Sequence, residues 1–225
     1  VREIPELILV QDLWDIIKRN NEQISFDFEF LREGGLLRGD VHYQASILEE
    51  HKITVGKRSR IGAQVILDAR KGPVYIGDEV TIEGPTLIQG PAYIGNYSEV
   101  TAATILAGSS IGPGSTITGH LEHCILQGFV KKYSREYIGY TYAGEWVEFG
   151  VGTIFQPYKP IYETGGVGED KGPFIVGDFS HTGFASRYED STVLGLCCHM
   201  NGGDAVFPKE IPSFVAGSAT RWKEL

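Results

Sequence analysis

Between Ile76 and Gly119 an aliphatic residue returns every six positions, at Ile76, Ile82, Ile88, Ile94 and Val100. After a five-residue step it resumes at Ile105, Ile111 and Ile117. Glycine often follows it (Gly77, Gly95, Gly112), and the fifth position of the unit is often small (Thr86, Ala92, Ser98, Ser109, Ser115). Self-similarity at so short a period belongs to a parallel β-helix. Each unit supplies a short flat strand and a corner, and three units close one triangular coil of about eighteen residues. Ile76 is then expected to stack on Ile94, and Ile82 on Val100, roughly 4.8 Å apart along the axis. Glycines are expected where corners need positive φ or close backbone approach. A buried aliphatic contributes about 1.5–3 kcal/mol, so a run in register builds a core.

The remaining composition suits this. The chain has 225 residues, a length that repeat folds often reach as one unit. Its 29 glycines and 10 prolines fit a fold made of corners. A net charge of −9 and a pI near 5.2, with no basic stripe, argue against a nucleic-acid partner. No apolar run is long enough to predict a membrane span, and no signal sequence opens the chain. Cys124, Cys197 and Cys198 have the wrong spacing for a disulfide framework or a zinc cluster, so a reduced, cytoplasmic compartment and no metal are expected. The first residue is Val rather than Met, which hints at a sequence upstream.

Along the chain, residues 1–40 lie outside the repeat. Asp12 is placed to N-cap a helix with Leu13, Trp14, Ile16 and Ile17 on one side, and Asn20–Asn21 suit its end. The next residues, ISFDFEFL, alternate apolar and acidic and predict a short strand or an extended arm. This region is either a cap on the open end of the solenoid or a joint to a preceding domain. The β-helix is expected over 41–218, with a tail at 219–225. Arg58, Arg60, Arg70 and Lys71 form a basic patch, either a solvated corner or an anion site. After Gly119 the register slips, although Ile125, Ile138, Val147 and Phe149 still look inward. Loops that bulge from a rigid solenoid are where function concentrates. Lys131, Lys132 and Arg135 cluster there beside His120 and His123, as a possible wall for a phosphorylated substrate. A Gly/Pro-rich excursion is expected at about 156–174. Val176, Thr182, Tyr188, Leu194 and Met200 then restore the six-residue spacing, which sets His181 and His199 one coil apart on one face.

The segments YAGEWVEFGVGT and NGG…PKEIPSFVAG, together with the repeats, resemble the left-handed β-helix half of bifunctional sugar-1-phosphate nucleotidyltransferases. These are relatives of N-acetylglucosamine-1-phosphate uridyltransferase/glucosamine-1-phosphate acetyltransferase. The likeness runs from about residue 12 onward. It implies an all-β solenoid, a left-handed parallel β-helix of hexapeptide repeats, assembled as a homotrimer behind an upstream nucleotidyltransferase domain. Acetyl-CoA or another acyl-CoA would lie between adjacent β-helices and acylate a sugar phosphate, with a histidine as general base.

By that resemblance the base histidine falls on Ser134, which cannot accept a proton near neutral pH. His120 or His123 is the candidate substitute. Tyr137 and Tyr158 match tyrosines of the sugar pocket, the asparagines of the relatives fall on Glu148 and Pro157, and Glu122 stands where a lysine is common. Lys131, Lys132 and Arg135 complete the candidate substrate contacts. Val151, Phe184 and Leu196 fall at backbone positions that line the CoA groove. Two functions follow. One is acyl transfer, with backbone N–H groups stabilising the oxyanion. The other is a non-catalytic trimerisation or sugar-nucleotide-binding module serving the upstream domain.

Overall fold

The computed structural model describes residues 10–155, 173–188, 191–203, 206–207 and 210–217. They form a parallel β-solenoid of about eight turns with one N-terminal helix. Its three faces are built from short strands paired one coil apart. The first face starts with Ile53–Val55, Val74–Ile76 and Ala92–Ile94. The second and third join into one sheet, because Glu99–Ile105 and Thr116–Glu122 run through the corner between them with a register shift after Thr101.

The expected stacking is present. Ile76 pairs with Ile94 and Ile82 with Val100. All eight periodic aliphatics from Ile76 to Ile117 are fully buried. Beyond the break, Val176, Thr182, Tyr188, Leu194 and Met200 also point inward. The loss of the six-residue period after Gly119 has a simple cause. Ile117 stacks on Lys132 and Phe149 on Thr182, so coils shorten and then lengthen while their faces stay in register. Phe155 and Phe174, on either side of the expected excursion, touch at a ring-centroid distance of 4.9 Å. The excursion itself, residues 156–172, lies outside the described residues.

Ile138, Val147 and Phe149 occupy the interior as expected. Ile125 does not: it pairs with Ser110 and Tyr142 in an outward column, and Leu126 stacks inward between Ile111 and Ala143. Glycines share the two expected tasks unevenly. Those after the aliphatic are needed for close approach, since a Cβ on Gly95 would lie 2.6 Å from Pro113 N. Many positive-φ corners are instead taken by larger residues. Tyr97, Phe129, Trp146, Phe179 and Phe214 share one edge, interrupted by Gly114 and Cys197, with φ between 58° and 63° and each amide bonded to the coil before it.

The N-terminal segment corrects the expected strand. One helix runs from Leu13 to Leu31, through both Asn20–Asn21 and ISFDFEFL. Asp12 caps it as anticipated, accepting from the Asp15 amide at 3.0 Å. The stripe that decides the matter is Ile17, Asn20 and Ile24, all buried at helical spacing. Asn20 does not end the helix but anchors it. Its amide donates to Gly108 O at 2.8 Å and its oxygen accepts from the Ser110 hydroxyl at 3.1 Å. The helix therefore lies along the first face, against Ala92–Ile94, Ser109–Ile111 and Thr141–Ala143. At the open end, residues 35–38 pair along the edge of the first face. Gly35 N and Arg38 N donate to Ile53 O and Val55 O, and Leu37 bridges Val55.

Candidate functional site

The third face carries the most specific side-chain arrangement among the sequence candidates. Parallel pairing puts His120 beside Tyr137 and Glu122 beside Gly139. The His120 and Tyr137 rings meet edge to face at 5.0 Å. Because Gly139 has no side chain, the Tyr137 phenol lies across it and donates to Glu122 Oε2 at 2.7 Å. Burial, the hydrogen bond and the carboxylate charge push the Tyr137 phenol far above its ordinary range. It stays protonated, with its proton committed to Glu122 and a lone pair left to accept another donor. His120 Nε2 is buried with no hydrogen-bond partner.

His123 is placed differently. It occupies a positive-φ corner, φ 49°, over Gly108, and its ring stacks on Tyr140 at 5.0 Å. Trp14 of the helix packs on the same Tyr140 at 5.7 Å. Burial lowers the His123 pKa, opposed by the Glu122 charge. His123 thus belongs to the seam between helix and solenoid.

The basic cluster does not share one surface. Lys131 is exposed on the second face, in register with Glu148. Lys132 turns inward at full burial. Its Nζ donates to Thr118 O at 2.7 Å and Ser134 O at 2.6 Å, and burial lowers its pKa to about 8. Arg135 is exposed at the next corner. Ser134 is 5% exposed, and its hydroxyl bonds to Glu136, lowering that carboxyl together with Lys132. Two of the four cations in the earlier basic patch are paired: Arg58 with Glu79, and Arg70 with Asp68 through two bonds of 2.9 and 2.8 Å. That pairing holds the Asp68 carboxyl down at about 2.

Val151 and Phe184 fall on one corner column, linked by an Ala185 N to Val151 O bond of 2.8 Å, and both side chains are exposed. Leu196 lies on another edge, where Phe214 N bonds to its carbonyl. Tyr158 lies outside the described residues. His181 and His199 do stack, 4.7 Å apart and 13° from parallel, with Glu148 paired beside His181. Among the described residues no group of three or more His, Cys, Asp or Glu could hold a metal ion. Nor is any described helix long and apolar enough to cross a membrane.

Sequence reasoning did not find the Tyr137–Glu122 bond or the part Gly139 plays in it. The signal available was the glycine at the end of EYIG, two positions after an aromatic and so on the same side of its strand. That Lys131 and Glu148 continue the column of His181 and His199 was also hidden, because the excursion obscures which coils are neighbours.

The class these features define is a hexapeptide-repeat β-solenoid with a flanking helix. No family model and no curated protein matches the chain. Among solved structures, LpxA from Acinetobacter baumannii aligns at 14% identity, over 84% of this chain and 76% of that one, with a TM-score of 0.34. A hexapeptide transferase family protein from Anaplasma phagocytophilum aligns at 15% identity, over 80% and 74% of the two chains, with a TM-score of 0.20.

Proposed function

We propose that this chain is an acyltransferase-type domain that moves an acyl group from acyl-CoA to a sugar phosphate, with His120 as general base. The observation that carries the reading is the unpartnered His120 Nε2 beside a phenol fixed by Glu122. The acceptor amine or hydroxyl attacks the thioester carbonyl while His120 takes its proton. Collapse of the tetrahedral intermediate breaks the C–S bond, and the imidazolium returns the proton to the departing CoA thiolate. The free lone pair of Tyr137 accepts a hydrogen bond from the acceptor and orients it. Nε2 is shielded in the single chain, so substrate entry requires the His120 or Tyr137 ring to rotate. A homotrimer would wall this face with a neighbouring copy, and the Val151–Phe184 corner would offer backbone groups to CoA. Lys131 and Arg135, exposed on adjacent surfaces, are the cations left for a phosphate. An upstream nucleotidyltransferase domain and a cytoplasmic setting complete the reading.

A second reading is a non-catalytic trimerisation or sugar-nucleotide-binding module. It is favoured by the buried Ser134 at the place of the usual base and by the shielding of Nε2. Incubation of the chain with acetyl-CoA and a panel of amino sugar phosphates, read by mass spectrometry, separates the two. Acylated product that falls about 100-fold or more in His120→Asn supports transfer. No product, with no heat of CoA binding in calorimetry, leaves the scaffold. A stable monomer in sedimentation sinks the trimer in both.

A further inference from the structure

The helix Leu13–Leu31 does not sit flush on the first face along its whole length. Asn20, Ile17 and Ile24 press it down in the middle. Farther along, two tyrosines one coil apart stand under it: Tyr75 and Tyr93 are register partners, with rings stacked at 5.6 Å and 19°. Side chains this large hold the helix off the sheet and leave a cavity of about 480 Å³. That size falls in the range of sites for small organic molecules. Its floor is the tyrosine pair, and its other walls include Gln23, Asp27, Phe28 and Phe30.

The lining has a definite chemistry. Among the described residues, four aromatic rings border it, and Asp27 is the one ionisable side chain besides the two phenols. The Gln23 amide donates to Asp27 Oδ1 at 2.7 Å, which steadies the carboxylate without neutralising it. Among the described residues, no lysine, arginine or histidine lines the space. A phosphate, a nucleotide or CoA would find no counter-charge here, in a chain whose net charge is already −9. Aromatic faces attract cations through their quadrupole, and a carboxylate at the rim adds to that field. We propose that this cavity binds a small organic monocation, an alkylated ammonium on a short apolar body. The ammonium lies over Tyr75 and Tyr93 and faces Asp27, and the apolar body rests against Phe28 and Phe30. The site lies on the first face, while His120 and Tyr137 lie on the third, so it stands apart from the proposed transfer chemistry.

The test uses the full chain, calorimetry and two probes of nearly equal shape, choline and its uncharged isostere 3,3-dimethyl-1-butanol. Choline is expected to bind at least about tenfold more tightly than the alcohol, a factor equal to about 1.4 kcal/mol. Asp27→Asn and Tyr93→Leu should each weaken choline severalfold, whereas Tyr93→Phe, which keeps the ring, should retain it. Circular dichroism reports whether each variant keeps its helix. For an intact variant, the affinity decides. Equal affinity for the two probes, no choline binding, or indifference to Asp27→Asn in a folded protein each overturns the proposal. Displacement of choline by acetyl-CoA would also overturn it, by making the cavity part of an anion site.

Discussion

Tyr137 reaches Glu122 by lying across Gly139: the phenol donates to Oε2 at 2.7 Å over a residue with no side chain to obstruct it. A Cβ at position 139 would collide with the phenol oxygen. The obstructed atom is the far end of a side chain that can swing, so Gly139→Ala should leave the fold close to wild-type stability. It should also break the bond to Glu122. Tyr137 would then ionise nearer the ordinary phenol value of 10.0, because two causes of its upward displacement are the hydrogen bond and charge of Glu122. A carbon-13 titration of ring-labelled tyrosine measures this. Glu122→Gln should act in the same direction, and an unchanged titration in both variants would contradict the arrangement.

Lys132 occupies an inward position between Ile117 and Phe149. Its folded pKa of about 8 lies below the 10.5 of the free side chain. Between those values the unfolded chain holds a proton that the folded chain has released, so this group makes stability rise with pH across that window. The full effect is on the order of 3 kcal/mol. Lys132→Met removes the charge and keeps the volume. It should match or exceed wild-type stability at pH 7 and abolish the rise between pH 8 and 10.5. Lys132→Ala leaves a cavity and should lose about 2–4 kcal/mol instead. Urea unfolding at pH 7.5 and pH 10 checks both.

Asn20 joins the helix to the strand Ser109–Ile111 and the corner before it through two hydrogen bonds. Asn20→Ala strands the Gly108 carbonyl and the Ser110 hydroxyl under the helix. The expected loss is about 1–3 kcal/mol. The solenoid strands do not depend on the helix for their pairing, so the loss should fall on helix docking. Hydrogen exchange should show Leu13–Leu31 opening more readily while amides in Ile76–Ile117 keep their protection. Uniform loss of protection would mean that helix and solenoid unfold as one unit.

The interior was legible from sequence because a solenoid repeats one local rule. Ile76 to Ile117 could be assigned inward positions from spacing alone, and their partners followed. The rule failed where coil length changed: Leu126 took the place expected for Ile125, and Lys132 entered a stack of apolar residues. Spacing also misjudged ISFDFEFL, whose alternation suggested a strand. Burial of Ile17, Asn20 and Ile24 against the first face outweighed that local pattern. Of the candidate site, the histidine stack could be read from an eighteen-residue interval. The Tyr137–Glu122 bond could not, because it depends on a diagonal reach across Gly139 between coils of irregular length.

His181 and His199 put two imidazoles face to face at 4.7 Å, so a proton on one opposes a proton on the other. The His181 pKa is lowered, first by burial and also by His199, against an opposing pull from Glu148. Proton NMR should therefore find His181 titrating below the ordinary 6.5. His199→Gln should raise that midpoint by removing the competing charge, and Glu148→Gln should lower it further. The stability consequence follows from the sign. As pH falls past the unfolded value, the unfolded chain takes up the proton first, so acidification weakens the fold through this group. The residue is only partly buried, which keeps the effect modest. Urea midpoints at pH 7.5 and pH 5.5 should fall less in His181→Gln than in wild type. A midpoint for His181 at or above 6.5, unmoved by either neighbour, would show that the stacked pair and its carboxylate do not interact in solution.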